Sequence, residues 1–178
     1  MFISPTTAIE NGWVSHPQCR DKNVDDYKQR SFVSPNALDF TLDKLFTIEA
    51  RNEFVISETS KKMRGGDPMP GDDEGYWRLL MNEVYDGMSD FYVRVPEGVA
   101  AMLIIRSTFN RNGLFLTSGI YDAGFNGNIG FAVHNRSGIA RIAPGTRIGQ
   151  LIFVASDSVG TYAGGYSHSP NTHWSEKS

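Results

Sequence analysis

The stretch that decides the fold is Ser118–Asn135, "SGIYDAGFNGNIGFAVHN". Its second half alternates large apolar residues with small or polar ones, which is the period of a half-buried β-strand. The apolar set is Ile129, Phe131 and Val133, and the opposite set is Gly130, Ala132 and His134. Its first half holds a single acid, Asp122, between glycines. An acid that hydrogen-bonds its own turn is one interpretation, and a chemical role is the other.

Strand patterns continue on both sides of this stretch. Residues 99–107, "VAAMLIIRS", form an apolar run typical of a buried strand, and residues 147–155, "RIGQLIFVA", alternate. Strict alternation predicts that Arg147 and Gln150 point to opposite faces of that strand. Short strands separated by a turn every eight to twelve residues indicate an all-β domain, either a barrel or a jelly roll.

Helix signals are few and lie mainly at the N-terminus. Ser4 is a candidate N-cap and Pro5 suits the first helical position, so a short helix is predicted there. Cys19–Arg30 is polar and is predicted to be an exposed loop. Asp73–Gly87 is compatible with a helix or with irregular structure. Lys61–Gly75 concentrates glycine, proline and charge, which predicts a flexible insertion.

The composition limits the functional classes. The chain has 178 residues, 40% apolar and 21% charged, with a net charge of −3. It therefore suits one globular domain and lacks the basic surface expected for nucleic-acid or membrane binding. The single cysteine, Cys19, excludes an internal disulfide and a multi-cysteine metal site. With no apolar run long enough to span a membrane, a soluble cytoplasmic protein is expected.

Common enzyme signatures do not occur. A zinc nucleobase deaminase needs a Cys-x-x-Cys pair, which one cysteine cannot supply. The sequence contains no Walker loop, dinucleotide fingerprint, nucleophile elbow or His-Glu-x-x-His motif. His168 and His173 lie close together in a polar tail but have no further ligands nearby.

Five spaced segments, however, form a pattern: Ser34–Leu42 "SPNALDFTL", Ile104–Leu114 "IIRSTFNRNGL", Ser118–Asn135, Pro144–Phe153 "PGTRIGQLIF" and Tyr162–His168 "YAGGYSH". In order and spacing they resemble the five motifs of the homotrimeric dUTPase and dCTP deaminase superfamily. The resemblance implies a distorted β-jelly roll with a short N-terminal helix. It also implies active sites between the subunits of a homotrimer.

The resemblance further implies a triphosphate site. A triphosphate carries about four negative charges, so it needs donors, a cation or both. The family uses Mg²⁺ held mainly by the triphosphate, so no metal ligands from the protein are expected. The implied substrate-binding residues are Arg106, Ser107, Thr108 and Arg111 of the second segment, Gln150 of the fourth, and Tyr162, Gly165 and Tyr166 of a C-terminal flap.

The third segment would bind the nucleoside and carry the chemistry. Asp122 matches the family acid that activates a water molecule for attack on the α-phosphorus. Phe125 matches an aromatic residue placed against the deoxyribose. The hairpin residues Thr117, Gly119 and Ile120 would read the pyrimidine through backbone groups.

One position separates hydrolysis from deamination. The deaminase branch carries a catalytic glutamate ten residues after the aspartate, and here that position is Ala132. Deamination at C4 without a metal needs a group that shuttles protons, which alanine cannot be. His134 is a conceivable substitute, two residues away on the same strand face. The sequence therefore favours loss of deamination.

The leading hypothesis is a dUTP diphosphatase that releases dUMP and pyrophosphate. A dCTP deaminase, or a bifunctional enzyme, is the first alternative, and a nucleotide-binding regulator without turnover is the second. A single domain over residues 1–178 is expected, with its core at 34–168, the insertion at 61–75, and a mobile flap and tail at 160–178. The insertion could bind a partner, although a solvated loop is the simpler interpretation.

Overall fold

A computed structural model describes residues 1–49, 51–62 and 64–164, and most of its regular structure is β-strand. The three helices within these ranges are short. In chain order the elements are β1 Phe2–Ile3, α1 Pro5–Glu10, β2 Val14–Ser15, α2 Val24–Gln29, β3 Leu38–Leu42, β4 Lys44–Thr47, β5 Val55–Ile56, β6 Lys61–Lys62, β7 Trp77–Leu79, β8 Val84–Arg94, β9 Val99–Ile105, α3 Ser107–Arg111, β10 Leu114–Thr117, β11 Asn126–Asn135, β12 Ala140–Ile142 and β13 Thr146–Ala155.

Among the described residues, two larger antiparallel sheets build the domain, and the pairs β7–β12 and β5–β6 form two small ones. In the first, which we call sheet A, the long strand β13 pairs with β9 along one edge and with β3 and β1 along the other. In the second, sheet B, β8 pairs with β11 along one edge and with β4 and β2 along the other, and β10 extends the sheet beyond β11. Both sheets are therefore organised around one long strand.

The hydrophobic core fills the space between the sheets. Phe40 of sheet A and Phe131 of sheet B bring their ring centroids within 5.2 Å. Gly87 is required at this point, because a Cβ there would lie 2.7 Å from the Phe131 ring. The predicted apolar set of β11 is buried, and its opposite set is half-buried or exposed. The all-β prediction and the two faces of this strand are confirmed.

The N-terminal helix is also confirmed. It begins at Pro5, and the hydroxyl of Ser4 accepts a hydrogen bond from the Thr6 N–H at 3.3 Å. The prediction of an exposed loop over Cys19–Arg30 is wrong, because α2 lies within it. Asn23 caps α2, and Tyr27 of this helix is fully buried. A cap followed by one aromatic anchor is enough to hold a short helix when the core covers that side chain.

The ambiguous segment Asp73–Gly87 contains no helix in the structure. It forms β7 and the first residues of β8, separated by a turn. β7 pairs with β12, so a distant segment supplies its hydrogen bonds. Residues 67–69 lie along β4, where Thr47 N–H donates to the Asp67 carbonyl at 2.9 Å and Met69 N–H to the Leu45 carbonyl at 2.8 Å.

A buried polar network attaches the N-terminal segment to sheet B. His16 Nε2 lies 2.8 Å from Asp90 Oδ2, and the Thr41 hydroxyl donates to the other oxygen of the same carboxylate. Burial alone would raise the pKa of Asp90, but these two contacts outweigh it and lower the pKa below its ordinary value.

Among the helices that the structure describes, none is long and apolar enough to cross a membrane.

Candidate functional site

A buried carboxylate organises the first group of predicted residues. Asp39 of β3 is 3% exposed and accepts hydrogen bonds from Gln150 Nε2 and from the Ser34 hydroxyl, both at 3.1 Å. Arg106 Nε and Arg147 Nη1 each lie 3.4 Å from its second oxygen. We call Asp39, Arg106, Arg147 and Gln150 the Asp39 cluster.

The sheet register explains why these four residues meet. β13 lies between β3 and β9, with Gln150 directly opposite Asp39 and also opposite Ile104. Arg106 follows the last residue of β9, and its N–H donates to the Ile148 carbonyl at 3.0 Å. Three sequence segments that lie far apart in the chain therefore converge at one end of sheet A.

A β-bulge corrects the alternation predicted for residues 147–155. Arg147 pairs with Thr41 and Gly149 with Phe40, so Ile148 is an extra residue on β13. Because a bulge shifts the alternation by one, Arg147 and Gln150 reach the same carboxylate instead of opposite faces. The prediction of opposite faces is wrong for this pair.

The Asp39 cluster is suited to an anion. Two guanidinium groups against one carboxylate leave a formal charge of +1, and the Arg106 and Arg147 side chains remain 33% and 35% exposed. Arg147 also donates to the Ser31 carbonyl at 2.6 Å, which fixes its position. The exposed parts of both guanidinium groups can bind phosphate oxygens in the bidentate manner typical of arginine.

The remaining residues of the second segment lie in α3. Arg106 immediately precedes this helix, Ser107 and Thr108 begin it, and Arg111 ends it. The last three are exposed, and the Thr108 carbonyl accepts a hydrogen bond from Asn112 Nδ2 at 2.7 Å. Ser107 and Thr108 therefore follow Arg106 of the Asp39 cluster directly in the chain.

Asp122 lies on an exposed turn that is fixed from both sides. Tyr121, the residue before it, exchanges two backbone hydrogen bonds with Ala101 of β9, at 2.8 and 2.9 Å. The Asp122 carbonyl accepts from the Phe125 N–H at 3.0 Å, and Gly124 has φ +86°. Glycine is favoured there because that backbone region is costly for other residues. The carboxylate is therefore presented to solvent from a rigid turn.

Phe125 is 4% exposed and belongs to the core behind this turn. Its ring contacts Tyr121, at 4.8 Å between centroids, and Tyr162, at 5.8 Å. The Tyr162 N–H donates to the Ala123 carbonyl at 2.6 Å, so the C-terminal segment runs beside the Asp122 turn of its own chain. The other two predicted flap residues, Gly165 and Tyr166, lie outside the described residues.

The predicted base-reading residues are exposed at the end of β10 and just beyond it. The Thr117 hydroxyl lies 3.1 Å from His134 Nε2 across the β10–β11 pair. Gly119 and Ile120 follow, and the Ser118 hydroxyl donates to the Gly119 carbonyl at 3.0 Å. His134, considered in the sequence as a substitute base, is thus hydrogen-bonded to a predicted substrate-binding residue.

Within one chain the Asp122 turn and the Asp39 cluster are far apart. Tyr121 lies opposite Ala101, and Arg106 comes five residues later along the same extended segment. At about 3.3 Å per residue, this separates the two regions by about 16 Å. Along the backbone, the Asp122 turn and the Asp39 cluster are thus two separate regions of one chain.

Sequence reasoning missed two residues of the cluster, Asp39 and Arg147. Both lie inside segments that were singled out, "SPNALDFTL" and "PGTRIGQLIF". The available signal was an acid in the middle of an otherwise apolar strand, because a buried carboxylate needs charged or hydrogen-bonding partners.

Over residues 1–49, 51–62 and 64–164, no three His, Cys, Asp or Glu side chains are grouped to hold a metal ion.

Comparison with known proteins identifies the family of the chain. Residues 15–156 match the family described as dCTP deaminase-like. The probable deoxyuridine 5'-triphosphate nucleotidohydrolase of Halobacterium salinarum is 36% identical over 142 residues, which cover 76% of this chain and 83% of that protein. Its counterpart of the same description in Methanococcoides burtonii is 29% identical over 123 residues, covering 68% and 71%.

Among solved structures, the fold is similar to that of the 2'-deoxycytidine 5'-triphosphate deaminase from Agrobacterium tumefaciens. The TM-score is 0.62 at 16% sequence identity. The match covers 87% of this chain but 48% of the deaminase chain. At this identity the likeness concerns the fold, and it confirms the predicted architecture.

Proposed function

The chain belongs to the dCTP deaminase-like family, and from this premise we propose that it hydrolyses dUTP to dUMP and pyrophosphate. The observation that carries the choice of hydrolysis is Ala132, which stands where the deaminases that the sequence resembles have their glutamate. The relatives named probable dUTP nucleotidohydrolases support the same choice.

In the proposed reaction Asp122 accepts a proton from a water molecule. The water oxygen forms a bond to the α-phosphorus while the bond from this phosphorus to the bridging oxygen breaks, and pyrophosphate leaves. An exposed carboxylate on a fixed turn suits this role, because correct positioning contributes more here than strong basicity. Its backbone hydrogen bonds hold the turn in place before substrate arrives.

The Asp39 cluster would hold the phosphate groups. Arg106 and Arg147 supply guanidinium donors, and Gln150 supplies a neutral amide donor. Asp39 acts through these residues, since it is buried and orients their side chains. Ser107 and Thr108 would add hydroxyl donors from α3, and Arg111, Tyr162, Gly165 and Tyr166 stay predicted substrate contacts.

Magnesium would enter with the triphosphate. The acid of the cluster, Asp39, already contacts two guanidinium groups and Gln150. The cluster therefore fits the triphosphate anion rather than the Mg²⁺ cation. Bound to the nucleotide, Mg²⁺ would neutralise phosphate charge. The chain itself contributes binding of the triphosphate, orientation of the α-phosphorus and a proton acceptor.

We further propose that the active unit is a homotrimer. The Asp122 turn and the Asp39 cluster lie about 16 Å apart along β9 of one chain. A neighbouring copy can bring its own Asp122 turn to the cluster, as the family resemblance implies. Each site would then combine residues of different copies.

One experiment tests the activity. The protein is incubated with Mg²⁺ and each deoxynucleoside triphosphate separately, and pyrophosphate and ammonia are both measured. We expect pyrophosphate from dUTP and no ammonia from dCTP above background. Efficient ammonia release from dCTP would contradict the proposal and assign the protein to deamination, with His134 as the first candidate for proton transfer.

A further inference from the structure

A row of four side chains crosses the outer face of sheet B. Thr117 of β10 lies opposite Ala132 of β11, Ala132 lies opposite Asp86 of β8, and Asp86 lies opposite Phe46 of β4. Directly paired residues of antiparallel strands project from the same face, with Cβ atoms about 5 Å apart. The carboxylate absent at position 132 is therefore present on the neighbouring strand.

Burial changes steadily along this row. Thr117 is exposed, Ala132 and Asp86 are half-buried, and Phe46 is 4% exposed. Phe46 is covered by the segment around Pro68, with which it forms a β-bridge. The row thus runs from the exposed hairpin that would bind the base to the buried side chain of Phe46, and Asp86 is the residue next to Phe46.

The strand beside Asp86 offers room for a flat ring. Ala132 carries one methyl group, and a Cβ built on Gly130, its neighbour on the same face, would meet no atom within 4 Å. A planar pyrimidine placed against this part of β11 would therefore meet little side-chain bulk from Gly130 and Ala132 themselves. We call Gly130 and Ala132 the β11 strip. It is bordered by His134, which contacts Thr117, and by Asp86.

A hydrogen bond brings Tyr121 to the same part of β11. The Tyr121 hydroxyl donates to the Gly130 carbonyl at 2.6 Å, so this phenol lies at the same strip. Burial raises the pKa of Tyr121, and the nearby charge of Asp86 raises it further. Tyr121, the residue next to Asp122 in sequence, thus lies beside Gly130, two residues along β11 from the position that Asp86 faces.

From this arrangement we propose that Asp86 is a specificity-determining residue of the base pocket, with its carboxylate facing the 4-position of the pyrimidine. The inference rests on the proposed nucleotide site. A carboxylate only accepts hydrogen bonds, so it binds a 4-amino group and repels a 4-oxo group. Asp86 thus weakens the preference of the pocket for uracil over cytosine. This effect concerns binding only, because Ala132 on β11 still provides no group to shuttle protons for deamination.

The test measures binding, which needs no turnover. Affinities for the α,β-imido analogues of dUTP and dCTP are determined by calorimetry for the wild type, Asp86→Asn and Asp86→Glu. We expect Asp86→Asn to shift the affinity ratio toward the uracil analogue by roughly tenfold or more, because the amide loses the charged acceptor and gains a donor to the oxo group. Asp86→Glu keeps the charge and should stay within about threefold of the wild-type ratio.

The matched control is Glu97→Gln, which removes one negative charge from the exposed turn between β8 and β9. Its affinity ratio should equal that of the wild type. If Asp86→Asn weakens both analogues equally, or neither, Asp86 is a structural residue and the inference is overturned. The inference would also be overturned if the wild-type protein bound neither analogue.

The outcome separates this inference from the proposed activity. A shifted affinity ratio with no pyrophosphate released from any nucleotide would retain Asp86 as the specificity residue and reject dUTP hydrolysis. Pyrophosphate release from dUTP with an unchanged ratio would retain hydrolysis and reject the role of Asp86.

Discussion

At the scale of single residues, Asp122 offers the sharpest test of the chemistry. Replacing Asp122 with Asn keeps the size of the side chain and its hydrogen-bonding capacity but removes the proton acceptor. We expect dUTP turnover to fall by roughly two to four orders of magnitude, as for a lost general base, with affinity for the imido analogue largely kept. The control is Asp67→Asn, an exposed acid beside β4, which should retain wild-type turnover. Near-normal turnover of Asp122→Asn would make Asp122 a turn residue only.

Asp90 should make the stability of the fold depend on pH. Its contacts with His16 and Thr41 lower its pKa in the folded state, so it contributes stability that is complete above its ordinary pKa of about 3.9 and is lost as the pH falls through the lower folded value. We expect Asp90→Asn to reduce the free energy of unfolding at pH 7 by about 1–3 kcal/mol. The difference from wild type should shrink below about pH 4.

Urea unfolding at pH 7, 5 and 3 measures this difference. The control is Asp73→Asn, an exposed acid, which should change the free energy of unfolding by less than about 0.5 kcal/mol. A difference for Asp90→Asn that stays constant down to pH 3 would show that the charge of Asp90 does not stabilise the fold.

At the scale of elements, the bulge in β13 depends on Gly149. A Cβ at this position would lie 2.3 Å from the Phe40 ring and 3.0 Å from the Ile104 carbonyl oxygen. Gly149→Ala should therefore reduce the free energy of unfolding by about 1–3 kcal/mol. Gly130→Ala is the matched control, since a Cβ there meets nothing within 4 Å. Equal stability of the two variants by thermal unfolding would contradict the required close packing.

The same elements show how far the sequence predicts the structure. The period of β11 identified its buried face correctly, because that face follows from local alternation alone. The period of β13 was wrong for Arg147 and Gln150, since a bulge depends on the partner strand. Asp86 could not be found opposite Ala132, because the register of β8 with β11 is fixed by the packed sheet. The helix α2 was missed for a similar reason, since the core selects Tyr27 as its anchor.

At the scale of the whole molecule, the separation of Asp122 from Arg106 predicts complementation. Asp122→Asn and Arg106→Gln should each be nearly inactive as pure proteins. After the two are unfolded together and refolded at equal amounts, we expect about one quarter of wild-type activity, because random mixing in a trimer pairs intact residues of different copies in about that share of sites. Sedimentation should give a trimer or a multiple of one.

The control for this experiment is the double variant, with both changes in one chain, mixed with itself. It should stay inactive. An active monomer, or a mixture that recovers nothing although hetero-oligomers form, would contradict sites that are shared between copies.

Tyr121 lies opposite Ala101, five residues before Arg106. The resulting separation of the Asp122 turn from Arg106 also has a consequence for inheritance in a cell that expresses two versions of the chain. In the proposed trimer, a copy altered at Asp122 would inactivate the neighbouring site to which it contributes its turn, and a copy altered at Arg106 would inactivate the site that it lines itself. A copy altered at both positions would disable two sites in an assembly whose other members are intact. Such an allele would act dominantly, and its harm would exceed its share of the expressed protein.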